Sequence, residues 1–175
     1  MTQARNGGVV VGVADMAVAR AGAGRIVTYA LGSCIGLTAY DPVARVGGLL
    51  HFMLPQPGGK GELKQLKPYM YATTGIPMML RKLVEEGAVP SRLVLCAAGG
   101  AEILANASTM AIGKRNRTML RRILWKMNLP LEAEDTGGSL ARTMMIDLEV
   151  GTVEIRVQNK TTALWEGGSP ALKGK

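Results

Sequence analysis

The sequence predicts an α+β fold, and two kinds of pattern support this prediction. Short apolar runs, bounded by Gly, Pro, Asp and Ser, indicate strands in residues 8–55 and 131–158. Between them, two longer segments repeat their apolar residues with the spacing of an amphipathic helix. The chain has 175 residues, of which 47% are hydrophobic, so it can bury the core of one domain. We expect a single domain over residues 1–175, with flexible ends at residues 1–7 and about 160–175.

The N-terminal part of the chain predicts a series of strands that ends in a hairpin. Residues 8–20 predict a strand followed by a short connection, and residues 26–33 predict a strand that runs into a Gly-Ser turn. Residues 35–40 alternate as the next strand, and after an Asp-Pro turn residues 46–55 predict the strand that pairs with it. The polar segment 56–68 follows this hairpin directly, and we expect it to form a mobile flap.

The first helix is predicted over residues 70–86, where apolar residues recur at helical spacing. Thr73 or Thr74 is expected to cap its N-terminus. Pro77 fits only the first turn of such a helix, because proline lacks the backbone donor that later positions need.

The C-terminal part predicts a buried strand, the second helix and a final group of strands. Residues 91–104 read as a buried strand that carries Cys96 and ends in a Gly-Gly bend. Residues 114–128 predict the second helix, and residues 131–158 predict three strands, the last two joined at Gly151. The second helix has a basic face that consists of Lys114, Arg115, Arg117, Arg121, Arg122 and Lys126.

The formal net charge of the chain is +8, which favours an acidic partner. Nucleic acid is the weaker candidate for that partner, because no recognised nucleic-acid-binding motif accompanies the charge. The N-terminus lacks the apolar segment of a signal peptide, and no run of about 18 apolar residues occurs. We therefore expect a cytoplasmic protein without a membrane-inserted segment.

One stretch brings a thiol and an imidazole onto the predicted hairpin. The segment LGSCIGLTAYDPVARVGGLLHFMLP, residues 31–55, contains Cys34 at a Gly-Ser-Cys-Ile-Gly turn and His51, the only histidine of the chain. A thiol hydrolase needs a nucleophilic sulfur, a base, a group that orients the base, and donors for an oxyanion. Cys34 is a candidate nucleophile and His51 a candidate base. Thr28, in the strand before Cys34, could orient the imidazole.

Both residues also have an ordinary structural interpretation. A lone cysteine in apolar surroundings is often a small buried hydrophobic residue. A histidine between Leu50 and Phe52 is often part of a core. The same interpretation is stronger for Cys96, which lies in an apolar strand with no base nearby. The residue pattern by itself leaves both interpretations of Cys34 and His51 open.

The same segment resembles the signature of the CheD family, the chemoreceptor glutamine deamidases of bacterial chemotaxis. The shared features are the Gly-Ser-Cys turn, the Asp-Pro turn, a Gly-Gly strand, and a histidine followed by an apolar-Met-Leu-Pro segment. Weaker motifs follow in the order typical of the family, namely AAGGAEI, IGKRN, DTGG and ARTMMIDLEVGTV. The resemblance covers residues 9 to about 157, which is nearly the whole chain.

The resemblance implies a cysteine hydrolase with a Cys-His-Thr triad formed by Cys34, His51 and Thr28. It implies that a receptor glutamine becomes glutamate through a thioester, and the same chemistry could hydrolyse a glutamate methyl ester. No metal or organic cofactor is expected. The implied fold is a sandwich of mixed β-sheets flanked by helices, similar to the catalytic core of the cytotoxic necrotizing factor toxins.

Further residues and partners are candidates on the same basis. Backbone amides around Ser33 and Ile35 could bind the oxyanion, and Asn116 and Arg115 of IGKRN could contact the substrate helix. Asn116 could instead cap a helix, with Arg115 simply solvated. The expected partners are the cytoplasmic helices of methyl-accepting chemotaxis receptors and a CheC-type phosphatase. A non-catalytic adaptor and a toxin-like deamidase of a host GTPase are the alternatives.

Overall fold

The protein has an α+β fold, as the sequence predicts, in a computed structural model that describes residues 2–3, 8–59, 67–102 and 111–167. The strands within these ranges are β1 (Thr2–Gln3), β2 (Val9–Val11), β3 (Asp15–Arg20), β4 (Arg25–Leu31), β5 (Ile35–Asp41), β6 (Val46–Phe52), β7 (Val94–Gly99), β8 (Leu131–Thr136), β9 (Arg142–Asp147), β10 (Val153–Val157) and β11 (Lys160–Trp165). Helix α1 (Ala72–Glu85) precedes β7, and helix α2 (Ile112–Lys126) follows it. In the described part of the chain, neither helix is long and apolar enough to cross a membrane.

The strands form two mixed sheets. The six-stranded sheet has the order β1-β2-β4-β9-β10-β11, in which β2 and β4 are parallel. The five-stranded sheet has the order β3-β6-β5-β7-β8, in which β7 and β8 are parallel. All other neighbouring strands are antiparallel. The mixed sheets that the family resemblance implies are therefore present.

Two apolar clusters hold the sheets and helices together. The inter-sheet cluster includes Met144 of β9 and Leu49 of β6. The helix-side cluster includes Leu50 of β6 and Leu120 of α2. Successive side chains of a strand face opposite sides, so Leu49 and Leu50 belong to different clusters. By the same alternation, His51 faces the space between the two sheets.

Two predicted boundaries are wrong. Residues 8–20 form two strands rather than one, and Ala14, with a φ of 56°, lies in the turn between them. Residues 160–165 form β11 rather than a flexible end, because their backbone pairs with β10. The predicted flap at 56–68 falls largely outside the described residues.

The beginning of α1 also differs from the prediction. Tyr71 is the N-cap residue, and no side chain caps the helix. The Thr74 hydroxyl donates instead to the Pro68 carbonyl. Pro77 lies inside the helix rather than in its first turn. The packing of the helix on the sheet therefore offsets the loss of the backbone hydrogen bond that this proline cannot donate.

The predicted hairpin is formed by β5 and β6, and Asp41 fixes the turn between them. Its carboxylate accepts the N–H of Val43 at 2.9 Å and pairs with the Arg92 guanidinium at 2.7 Å. These contacts hold the turn in one register, which is the register that places Gly36 opposite His51. A shift of one residue would turn the His51 side chain to the other face of the sheet.

Candidate active site

Cys34 and His51 share the face of the five-stranded sheet that looks toward the other sheet. Gly36 pairs with His51, so Cys34, two residues before Gly36, has the diagonal position on the same face. Cys34 packs against the inter-sheet cluster. Its side chain is partly exposed, whereas His51 is fully buried. The thiol thus lies toward the surface and the imidazole deeper in the protein.

Thr28 reaches His51 from the six-stranded sheet. Its hydroxyl oxygen lies 2.7 Å from His51 Nδ1 and 2.8 Å from the carbonyl oxygen of Val11. A hydroxyl has one proton, and a carbonyl can only accept, so the Thr28 proton is donated to Val11. The Thr28 oxygen must then accept the hydrogen of Nδ1. This selects the imidazole tautomer with a lone pair on Nε2, the form that a general base requires.

A β-bulge carries the chain from Thr28 toward Cys34. The register of β4 against β9 shifts between Thr28 and Leu31, and Ala30 has a φ of 58°. Positive φ is uncommon for a residue with a side chain, and bulges often re-aim the chain next to functional sites. Here the bulge ends β4 and leads into the turn that starts β5 in the other sheet.

The Nε2 atom of His51 is buried and has no hydrogen-bond partner among the described residues. In particular, Nε2 forms no hydrogen bond with the Cys34 thiol. Buried polar atoms without a partner are rare, and a catalytic role is one of the explanations for them. Hydrogen bonds between catalytic groups are often long before substrate binds. The lone pair of Nε2 is consistent with a base that engages its proton donor during the reaction.

Burial sets the charge state of both groups. It lowers the pKa of His51 to about 4, so the imidazole is neutral near pH 7. Burial also raises the pKa of the Cys34 thiol, and the interaction of the sulfur with its own backbone N–H opposes this increase. The resting pair is therefore a neutral thiol and a neutral imidazole. Transfer of the thiol proton is expected to accompany attack on a substrate rather than to precede it.

The backbone of the Cys34 turn is held at three consecutive carbonyl groups. Backbone N–H groups of the 100–101 bend donate to the carbonyls of Gly32 and Cys34, at 2.8 and 2.7 Å. Between these two, the side-chain amide of Asn116 donates to the carbonyl of Ser33 at 2.9 Å. The turn is thus fixed both by the bend that follows β7 and by helix α2.

Two glycines permit this close packing and were not predicted as site residues. Gly99 has a φ of 104°, and a Cβ atom there would overlap the carbonyl oxygen of Cys34. A Cβ atom on Gly113, in α2, would lie 2.5 Å from the carbonyl oxygen of Gly100. Both glycines lie in motifs that carry the family resemblance, AAGGAEI and IGKRN. These two motifs were the sequence signal that could have identified them.

Asn116 is fully buried in α2. Its amide nitrogen donates to the carbonyl of Met53 at 2.7 Å as well as to Ser33, and its carbonyl oxygen has no partner among the described residues. The N-cap of the helix is Ala111. The interpretation of Asn116 as a helix cap is therefore wrong.

The remaining predicted residues lie in different surroundings. Ile35 begins β5, and its side chain packs in the helix-side cluster, so only its backbone could serve the candidate site. Ser33 is half-buried in the turn itself. Arg115 is exposed and lines a surface groove with Pro55 and Met119. These positions leave the oxyanion and substrate roles of the three residues as predictions.

Cys96, the second thiol, is fully buried in β7. Burial raises its pKa to about 12. A thiol that remains protonated and inaccessible cannot act as a nucleophile near neutral pH. The structural interpretation of Cys96 is therefore supported.

A partly exposed thiol, on the same sheet face as a buried imidazole that a hydroxyl orients, is a set of groups that can support cysteine-hydrolase chemistry.

Comparison with known proteins identifies the family of the chain. Residues 53–157 match the family described as CheD chemotactic sensory transduction. A probable chemoreceptor glutamine deamidase CheD of Solibacter usitatus is 42% identical over 89% of this chain and 92% of its own length. Relatives of the same name from Desulforamulus reducens and Thermococcus kodakarensis are each 42% identical, over 86% and 85% of this chain and 91% of their own lengths. The chain belongs to the CheD family.

Proposed function

We propose that this protein is a cysteine-dependent deamidase that converts glutamine side chains of chemotaxis receptors to glutamate. Family membership supports the reaction and the substrate class, because the relatives are named chemoreceptor glutamine deamidases. The observation that carries the proposal is the Thr28–His51 hydrogen bond, which leaves the Nε2 lone pair on the sheet face shared with Cys34. In this proposal Cys34 is the nucleophile, His51 is the base, and Thr28 orients the imidazole.

The first half of the reaction forms an acyl-enzyme. As the Cys34 sulfur attacks the carbon of the glutamine carboxamide, its proton passes to His51 Nε2. The carboxamide oxygen becomes an oxyanion, which backbone N–H groups of the Ser33–Ile35 turn could stabilise. The imidazolium then donates its proton to the nitrogen, the carbon–nitrogen bond breaks, and ammonia leaves a thioester on Cys34.

The second half hydrolyses the thioester. A water molecule gives a proton to His51 Nε2 and adds its oxygen to the same carbon. The carbon–sulfur bond then breaks, and the proton returns to the Cys34 sulfur. The balance is glutamine plus water giving glutamate plus ammonia, with the protein unchanged. A glutamate methyl ester would follow the same course, with methanol as the leaving group.

The basic face of α2 offers fewer available charges than its sequence indicates. Arg117 and Arg121 already form ion pairs with acidic residues of the same chain, at 3.2 and 2.8 Å. Lys114 and Arg122 instead line the groove beside Pro55, and they form no ion pair with any residue in the described ranges. These two cations are the better candidates to steer the protein toward an acidic receptor helix.

Three further features belong to the same proposal. They are a CheC-type phosphatase as a binding partner, a catalytic core similar to that of the cytotoxic necrotizing factors, and one domain that spans the chain. The non-catalytic adaptor predicts binding to receptor without any chemical change. The reaction itself therefore decides between the two functions.

Mass spectrometry of a receptor cytoplasmic fragment tests the proposed function. Each converted glutamine should gain about one dalton, because the NH2 of its carboxamide is replaced by OH. We expect this gain with the wild-type protein and with Cys96→Ala, the matched control for the other thiol, and we expect none with Cys34→Ala. Conversion by Cys34→Ala at the wild-type rate, or an unmodified receptor after treatment with wild-type protein, would refute the proposal.

A further inference from the structure

We infer that Asn116 is a positioning residue for this reaction, because it fixes the peptide unit whose N–H faces the oxyanion. The inference rests on the proposed function. The Asn116 side chain joins two parts of the candidate site. Its Nδ2 atom donates to Ser33, immediately before the nucleophile, and to Met53, two residues after the base, at 2.9 and 2.7 Å.

The direction of the Ser33 carbonyl determines the direction of the next amide. A trans peptide unit points its C=O and its N–H in opposite directions. Because the Ser33 carbonyl points to Asn116 in α2, the N–H of Cys34 points away from that helix. This N–H belongs to the residue that carries the sulfur, so it is within reach of the oxygen of an acyl group on that sulfur.

The neighbouring carbonyls strengthen this conclusion. Backbone donors of the 100–101 bend hold the carbonyls of Gly32 and Cys34, so the peptide units on both sides of the Ser33–Cys34 unit are already fixed. The central unit depends on Asn116 for its orientation. Loss of the side-chain donor would free that unit to rotate while the rest of the turn stays in place.

Burial argues for positioning rather than substrate contact. The Asn116 side chain has no exposed surface, so a receptor helix cannot touch it. Its carbonyl oxygen is buried without a partner in the described part of the chain. A buried acceptor without a partner destabilises a fold. The unpaired acceptor offsets part of the stability that the two donated hydrogen bonds contribute, so the orientation that these bonds impose is the better explanation for the residue.

The test compares Asn116→Ala with Thr38→Val, a matched control. Thr38 is also fully buried, and its hydroxyl donates to the backbone carbonyl of Cys96 within the five-stranded sheet. Deamidation of the receptor fragment and alkylation of Cys34 by iodoacetamide would be measured for each folded variant. Alkylation displaces iodide at the sulfur and creates no oxyanion, so it reports on the thiol alone.

We expect Asn116→Ala to lower kcat by about 100-fold, the loss typical of one oxyanion donor, with KM and the alkylation rate within about threefold of wild type. Thr38→Val should keep the wild-type kcat. A kcat of Asn116→Ala equal to that of Thr38→Val, an increase in KM alone, or a parallel loss of alkylation would overturn the inference. Failure of the wild-type protein to convert glutamine would refute the proposed function instead, and the Asn116 role with it.

Discussion

Replacement of His51 by glutamine is expected to lower kcat for receptor deamidation by about a thousandfold, with little change in KM. Glutamine keeps a polar side chain that can meet the Thr28 hydroxyl, but it cannot take the proton of the Cys34 thiol. The thiol also has a raised pKa because it is partly buried, so little thiolate forms without a base. Since the sequence contains no other histidine, no second imidazole can replace the missing one.

Initial rates of deamidation over a range of receptor concentrations would separate kcat from KM. Thr38→Val is the control for general effects of substitution in this sheet, because Thr38 is a buried polar residue of the same hairpin. A kcat for His51→Gln within tenfold of wild type would show that another group takes the thiol proton.

Replacement of Gly99 by alanine is expected to destabilise the fold by about 3 kcal/mol or more. The residue has a φ of 104°, which side chains rarely adopt, and the added Cβ would overlap the Cys34 carbonyl oxygen. That oxygen is a backbone atom held by the Gly100 N–H at 2.7 Å, so it cannot move without breaking the pairing of β5 with β7. The strain therefore falls directly on the turn that carries the thiol.

Urea denaturation would measure this loss, and Gly12→Ala is the matched control. Nothing lies within 4 Å of a Cβ atom built on Gly12, so its substitution should change the free energy of unfolding by less than about 0.5 kcal/mol. Equal unfolding midpoints for the two variants would mean that the close approach at Gly99 is not required.

The local parts of this site could be predicted from the sequence. Alternating apolar residues and the Asp-Pro turn predicted the hairpin, and the position of Cys34 and His51 on it placed them in neighbouring strands. The spacing could not show that Thr28 belongs to the other sheet and reaches His51 across the core. Pairing between distant strands decides that contact, and it leaves no periodic signal in the chain.

The contacts that support the site were even harder to predict from the sequence. The Val11 carbonyl accepts the Thr28 proton and thereby selects the tautomer of His51. Because this carbonyl is a backbone group, the residue pattern does not reveal its role. The need for glycine at position 99 depends on a positive φ and on an approach to Cys34 from a strand about 65 residues away in sequence. Strand β11 was missed because most of its residues are exposed and lack the apolar-polar alternation of a half-buried strand.

Thr28 holds His51 as a neutral imidazole with its lone pair on Nε2. Nitrogen NMR of protein labelled only at histidine tests it directly, because the single imidazole gives a single pair of ring signals. Near neutral pH we predict a protonated Nδ1 and an unprotonated Nε2, with protonation of the ring only near the pKa of about 4. Thr28→Val should weaken this preference by removing the acceptor of the Nδ1 hydrogen. A proton on Nε2 in the wild-type protein, or titration near the ordinary histidine pKa of about 6.5, would contradict the account.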